Sequence, residues 1–356
     1  MRRIGRIGIA LCASVALFGL DGITAAHATT LSCGQVVTAS VTLTADVGPC
    51  SHNGIVVGAD NVIVNLGGHH VFGTPQPGDG AGVLIAAHSG VIVMNGTVTD
   101  FDGGVVIANG GHNIVMAITA RNNMGSSGDP IIPDTLYGDG ILVEGSSNNT
   151  ISGNTTADNG PFSGIALISR SDSDHLFTTA PTTNNTVKGN TVVDNTACRQ
   201  GAHPGCDNDG IRLEPGVGPG NTVIGNTVSN SGLDGISLFA DTDHNSVTGN
   251  YVTGNGFHGT VPGDGVRIFG SFNQITGNTA IGNAAGGVTV GRRPISPPGS
   301  LPPSATGNPR GMDNTLIGNF AIGSNAKDLY DSNPNCDNNV WLGNYGIKVA
   351  PACTLG

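Results

Sequence analysis

Long charged side chains are scarce in this chain. Its 356 residues include two glutamates, Glu144 and Glu214, and three lysines, Lys188, Lys327 and Lys348. Charged residues of all kinds make up 11% and aromatic residues 4%. Glu and Lys ordinarily clothe helix surfaces, so a helical bundle is excluded. No segment beyond the N-terminus has the roughly 20 consecutive apolar residues of a membrane span. Low charge with a mean hydropathy of +0.05 argues against a charged disordered chain. What is abundant is glycine, 58 residues, more than twice the share of an average protein. These glycines follow no three-residue period, which excludes collagen. With Asn, Thr and Ser they describe a β-rich, turn-rich protein whose surface is polar without being charged.

The N-terminus has the form of an export signal over residues 1–28. Arg2, Arg3 and Arg6 precede the apolar stretch Ile7–Leu20, and Ala26-His27-Ala28 is a small-x-small cleavage site. Residues 29–356 are then expected to form one domain, secreted or held in the periplasm or cell envelope. Cleavage removes Arg2, Arg3, Arg6 and Asp21, leaving 11 basic and 24 acidic residues and a net charge of −13. That balance disfavours nucleic acid and anionic membranes as partners, since both need a basic footprint. An acidic polysaccharide would need a bridging cation.

Six cysteines remain after cleavage, in the local pairs Cys33/Cys50, Cys198/Cys206 and Cys336/Cys353. An even count in an exported chain favours disulfides, and local pairing is the simplest connectivity. No Cys-x-x-Cys spacing suggests zinc. One pair would staple each end and the middle pair would pin a loop.

The chain repeats. One motif reads Asn149-Thr-Ile-Ser-Gly-Asn154, Asn185-Thr-Val-Lys-Gly-Asn190, Asn221-Thr-Val-Ile-Gly-Asn226, Asn245-Ser-Val-Thr-Gly-Asn250, Asn273-Gln-Ile-Thr-Gly-Asn278 and Asn314-Thr-Leu-Ile-Gly-Asn319, with a degenerate Asn339-Val-Trp-Leu-Gly-Asn344. Between these lies Asp139-Gly-Ile, Asp209-Gly-Ile, Asp234-Gly-Ile and Asp264-Gly-Val, with weaker copies at Ser163 and Gly286. The basic period of 22 to 25 residues, filled by short alternating strands, is a solenoid signature. Each coil is expected to hold three strands. Ile141, Ile165, Ile211, Ile236, Val266 and Val288 would form one inward ladder; Ile151, Val187, Val223, Val247, Ile275, Leu316 and Val340 would form another. The Asn of each Gly-Asn step would take the left-handed bend and pass amide hydrogen bonds from coil to coil.

This pattern resembles the right-handed parallel β-helix proteins of the pectin-lyase-like superfamily. It is most similar to their Asn-Gly-rich branch, which includes periplasmic copper-maturation proteins and carbohydrate-binding and sugar-hydrolase domains. The resemblance covers about residues 53–348 and implies an all-β parallel β-helix of about ten coils.

The candidate site lies where long loops interrupt the coils. Residues 122–138, 196–208 and 255–263 precede Asp-Gly strands, and 169–183 and 291–312 follow such strands. Loops on one face of a solenoid commonly border its binding surface, and the resemblance implies a polysaccharide or cell-surface glycan there. The outward strand position reads Leu142, Ala166, Arg212, Ser237, Arg267 and Thr289. In a chain with so few bases, Arg212 and Arg267 two coils apart are informative, and with Asp209, Asp234 and Asp264 they are the candidate catalytic residues. Glu214, His203 and His258 are candidate substrate contacts. Asp207 and Asp209 supply oxygen ligands that suit Ca²⁺. Lyase, inverting hydrolase and epimerase chemistry all fit such a set. The Gly-His-Gly of polygalacturonases and the Asp-Pro-His of alginate epimerases are absent. The recurrence of the Asp-Gly aspartates also speaks for a structural turn role, and the arginines could form ion pairs with their acidic neighbours. The alternative is therefore a non-catalytic surface, adhesion or envelope scaffold. A copper-handling role lacks the Met and His clusters copper favours. The protein is expected to be a monomer.

Overall fold

The alternation of apolar residues becomes strands two to eight residues long that stack coil upon coil, all parallel. The structure, a computed structural model, describes residues 26–74, 80–125, 138–169, 180–197, 208–259, 261–291 and 311–355. One sheet has 12 strands, running in chain order from Gln35–Val37 to Val349–Ala350. A second sheet of 20 strands supplies the remaining strands of the coils. The chain is a right-handed parallel β-helix. Ten strands of the 12-stranded sheet fall within residues 53–348, and the strands Gln35–Val37 and Val349–Ala350 extend the stack at its ends.

The first inward ladder is as expected: Ile141, Ile165, Ile211, Ile236, Val266 and Val288 pair in register and are fully buried. Burying one such side chain contributes about 1.5–3 kcal/mol. The second ladder differs at its last member. Leu316 pairs with Trp341, not Val340, which is 52% exposed. A one-residue shift reverses the face of every side chain in a strand. Here Trp341 fills the inward place, and its indole Nε1 donates to Asp331 Oδ2 at 3.1 Å.

The Gly-Asn corners also differ in detail. The left-handed residue is the glycine, with Gly225 at φ +62° and Gly249 at φ +62°, while the asparagine that follows does not enter that region. Glycine takes this conformation without the Cβ penalty that asparagine pays. The freed asparagine side chain then runs the ladder. Asn154, Asn190, Asn226, Asn250, Asn278, Asn319 and Asn344 pass Nδ2–H···Oδ1 bonds of 2.9–3.0 Å from coil to coil. Asn149, Asn185, Asn221 and Asn245 form a second such ladder at another corner.

Disulfides Cys33–Cys50 and Cys336–Cys353 close the two ends. Cys198 and Cys206 lie outside the described residues. The first strand, His27–Thr29, pairs with Val41–Leu43, so cleavage after Ala28 would leave only Thr29 of it. Among the described residues, no helix is long and apolar enough to cross a membrane.

Candidate functional site

Asp209, Asp234 and Asp264 occupy equivalent places in successive coils, each two residues before the inward Ile211, Ile236 and Val266 of the 12-stranded sheet. In each, Oδ1 accepts the backbone N–H of the next coil: Asp234 N to Asp209 at 2.9 Å, Asp264 N to Asp234 at 2.7 Å and Gly286 N to Asp264 at 2.6 Å. This is the structural role that the repeat of Asp-Gly suggested. The glycine that follows is required by crowding between coils. A Cβ on Gly210 would sit 2.3 Å from Cγ1 of Val228 and 2.5 Å from the carbonyl oxygen of Gly235.

The second carboxylate oxygens face Arg212 and Arg267, which are two coils apart with Ser237 between them. Arg212 Nη1 lies 3.6 Å from Asp209 Oδ2, and its Nε pairs with Glu214 Oε1. Ser237 Oγ donates to Asp209 Oδ2 at 2.7 Å. Arg267 Nη1 lies 3.5 Å from Asp234 Oδ2, and its Nε lies 3.9 Å from Asp264 Oδ2. Both arginines point outward from the sheet, yet each is only 5% exposed. The guanidinium carbon of Arg212 lies 4.9 Å from the ring centre of Phe162 and 4.3 Å from that of Phe239. That of Arg267 lies 3.9 Å from the ring centre of Phe269. Desolvated cation–π contacts of this kind contribute about 2 kcal/mol. The outward arginines are thus the centre of a buried ion-pair network.

Asp139 completes the cluster. It stands in the same row as Asp209 two coils away, with Ser163 between them. Burial pushes its carboxyl up to about 7, against the pull of the Arg212 guanidinium and of hydrogen bonding to Ser163, and the charge of Glu214 raises it further. Its own strand carries Leu142 at the place where two of the later strands carry Arg212 and Arg267. Leu142 belongs with Val106, Ala166 and Ile168 to an apolar cluster on the outer face. Asp139 therefore marks the border between an apolar and a charged half of that face.

Sequence reading placed Arg212, Arg267, Asp209, Asp234, Asp264 and Glu214 together, and the structure joins them. His258 is exposed, beyond the coil corner at Asn255. His203 and Asp207 lie outside the described residues. The Ca²⁺ expected between Asp207 and Asp209 finds no support. Asp209 already serves the Asp234 N–H, the Ser237 hydroxyl and Arg212. Among the described residues, no three His, Cys, Asp or Glu side chains are grouped to hold a metal ion. Sequence reading missed Asp139, one of four alike Asp-Gly copies, and the phenylalanines over the arginines. Phe269 stands two residues beyond Arg267, which puts both on one side of the strand.

A family model described as periplasmic copper-binding protein (NosD) matches residues 53–293. Among solved structures, the chain is similar to a periplasmic alginate epimerase, AlgG, with a TM-score of 0.54 and 15% identity over 88% of this chain and 78% of that one. It is similar to the Dettilon tailspike protein gp208, with a TM-score of 0.53 and 18% identity over 87% of this chain and 61% of that one. It is also similar to pectate lyase Pel9A, with a TM-score of 0.50 and 16% identity over 82% of this chain and 72% of that one. At these identities the likeness is one of fold. No curated protein matches the sequence.

Proposed function

This chain belongs to the NosD family of periplasmic copper-binding proteins, and from that footing we propose that it is an exported β-helix protein that engages an extracellular polysaccharide over the outer face of its 12-stranded sheet. The observation that carries this reading is the cluster of Arg212 and Arg267 with Asp209, Glu214, Asp234 and Asp264 on that outer face, with the buried carboxyl of Asp139 in the same row as Asp209. A carboxyl that titrates near neutrality can give or take a proton at periplasmic pH. A guanidinium beside it stabilises negative charge on a uronate or on a departing oxygen. Proteins of the same fold include a periplasmic alginate epimerase and a pectate lyase, which supports a polysaccharide as the ligand class.

In this reading Asp139 moves the proton and Arg212 bears the developing charge. Asp209 and Glu214 hold the Arg212 guanidinium. Arg267, with Asp234 and Asp264, extends the charged subsite along the solenoid axis. Glu214, His258 and His203 remain the proposed substrate contacts. Because Phe162 and Phe239 lie over Arg212, a ligand enters by displacing those rings.

Copper is named in the family's description, but among the described residues no three His, Cys, Asp or Glu side chains are grouped to hold it. The four described cysteines are disulfide-bonded. His69 and His88 are turned to Asp46 and Asp60, at 3.2 and 2.9 Å. No step here runs through a metal.

A screen of uronate polymers, neutral glycans and mucin for binding, depolymerisation and epimerisation tests the proposal. Wild-type protein should bind or turn over a member of the panel, and Asp139→Asn should abolish turnover while leaving binding. The pairing and burial of both arginines favour a second reading, a non-catalytic envelope scaffold. Absence of any binding or turnover across the panel would establish that second reading instead.

A further inference from the structure

The 20-stranded sheet has an outer face of its own, away from the arginine cluster. Ile224, Ile317 and Leu342 stand in one row of that face, with Thr248 and Thr276 between the first two. Tyr251, Phe320 and Tyr345 stand in a neighbouring row, with Thr279 after Tyr251. These six are half of the twelve exposed large apolar side chains among the described residues. They are gathered in the last coils. In the second row the earlier coils hold Thr119, Thr155, Thr191 and Thr227, and in the first row the coil before Ile224 holds Lys188. The nine strands of this face between Thr222 and Leu342 carry no charged residue, in a chain of net charge −11.

We infer that this face is the contact surface between two copies of the chain, joined about a two-fold axis. Three considerations select that occupant. First, two copies of an acidic protein repel one another over most of their surfaces, and an uncharged apolar face is where they approach at least cost. Second, the size is of the order required. Five coils at about 4.8 Å, with a three-residue strand at about 3.3 Å per residue on each side of the Gly-Asn corner, give roughly 480 Å² per copy, or about 950 Å² for the pair. A specific interface needs about 1,000 Å². Third, two of the rings cover each other's faces. Phe320 and Tyr345 stack with centroids 5.2 Å apart and planes 6° apart, whereas a pyranose stacks on an open ring face. These nine strands carry no Lys or Arg, and Lys188 at the edge of the first row is a single cation where an anionic membrane surface needs a cluster. This inference stands apart from the polysaccharide reading, which uses the other sheet, and it departs from the monomer expected from the sequence.

Sedimentation velocity of the purified full-length exported chain across a micromolar dilution series tests it. Wild-type protein should sediment as a concentration-dependent dimer. The double variant Ile317→Asp/Leu342→Asp should sediment as a monomer with an unchanged far-UV spectrum. Should that variant fail to fold, Ile317→Thr/Leu342→Thr keeps strand-compatible residues and should weaken the dimer by at least about tenfold, the effect of losing 1.4 kcal/mol. A wild-type chain that is monomeric at every concentration overturns the inference. So does a dimer that persists in a folded double variant. A monomer that sediments with phosphatidylcholine vesicles also overturns it, by giving the face to lipid.

Discussion

Arg267 and Asp234 belong to adjacent coils, yet Nη1 of the arginine lies 3.5 Å from Oδ2 of the aspartate, with both side chains buried. The same Asp234 holds the Asp264 backbone N–H through Oδ1 at 2.7 Å. One carboxylate therefore fixes coil spacing and neutralises a base at once. Arg267→Ala should destabilise the protein by about 3–5 kcal/mol, the usual cost of leaving a buried charge uncompensated. Arg267→Lys should recover only part of this, because an ammonium cannot reach both Asp234 and Asp264 in the plane of Phe269. Urea denaturation of the three proteins measures both effects. A loss below about 1 kcal/mol for the alanine variant would mean that the network is solvated.

Asp139 should set the pH dependence of stability. Its folded pKa lies above the unfolded value of 3.8, at about 7. Between these values the folded chain holds a proton that the unfolded chain has released. Stability due to this group is therefore full below about pH 4, falls as pH rises to 7, and is level above that. The shift corresponds to about 4 kcal/mol. Asp331, also raised by burial, acts with the same sign. Asp46 and Asp60 are lowered, chiefly by the backbone N–H groups of His70 and Ser89, and act with the opposite sign at lower pH. Asp139→Asn removes the first contribution alone. It should raise the melting temperature at pH 8 and leave it nearly unchanged at pH 4. An equal change at both pH values would disprove the raised pKa.

The fold was legible because its rules repeat. The Gly-Asn step recurs through the later coils, so its strands, corners and amide ladders could be read off together. The slip at Val340 came from a degenerate last copy, where Trp341 occupies the place that Leu316 and Ile275 hold earlier. The site was legible only where it breaks the repeat. Arg212 and Arg267 stand out because their neighbours in the row are Ala166, Ser237 and Thr289. Their burial could not be read, since alternation gives the side of a strand and not what lies over it. Asp139 was hidden because it looks like Asp209, Asp234 and Asp264. What sets it apart is Leu142 in the arginine's place, a difference of partner rather than of motif.

The terminal disulfides should act locally. Cys336–Cys353 closes a span of 17 residues around Trp341 and Val349. Chain-entropy arguments give a staple of this length about 3 kcal/mol. A solenoid is held by contacts between neighbouring coils, so its loss should fray the end before the middle. Cys336→Ser/Cys353→Ser should speed hydrogen exchange at Leu329 and Trp341 while leaving Ile211 and Ile236 protected. Uniform loss of protection along the chain would show that the end coil nucleates the whole stack.

The asparagine ladder offers the strictest test of the fold's energetics, because its members are chemically identical and differ only in position. Asn226 is 1% exposed and donates to Asn250 Oδ1 at 2.9 Å and to Val187 O at 3.0 Å. Its own oxygen accepts the Asn190 backbone N–H and side-chain amide, both at 2.9 Å. Asn226→Ala strands several buried polar groups and should cost about 3 kcal/mol, less where water enters the gap. Asn344 ends the ladder, partly exposed, so Asn344→Ala should cost under about 1 kcal/mol, its partners turning to solvent. Asn226→Asp separates hydrogen bonding from shape. Ionised, it keeps both acceptors for Asn190 but sets a negative charge against Asn250 Oδ1 and Val187 O, where donors stood. Protonated, it regains one donor. Its destabilisation should therefore be greater at pH 8 than at pH 4, with a raised carboxyl pKa visible by NMR. A pH-independent loss equal to that of the alanine variant would mean that packing, rather than the amide chain, holds the coils in register.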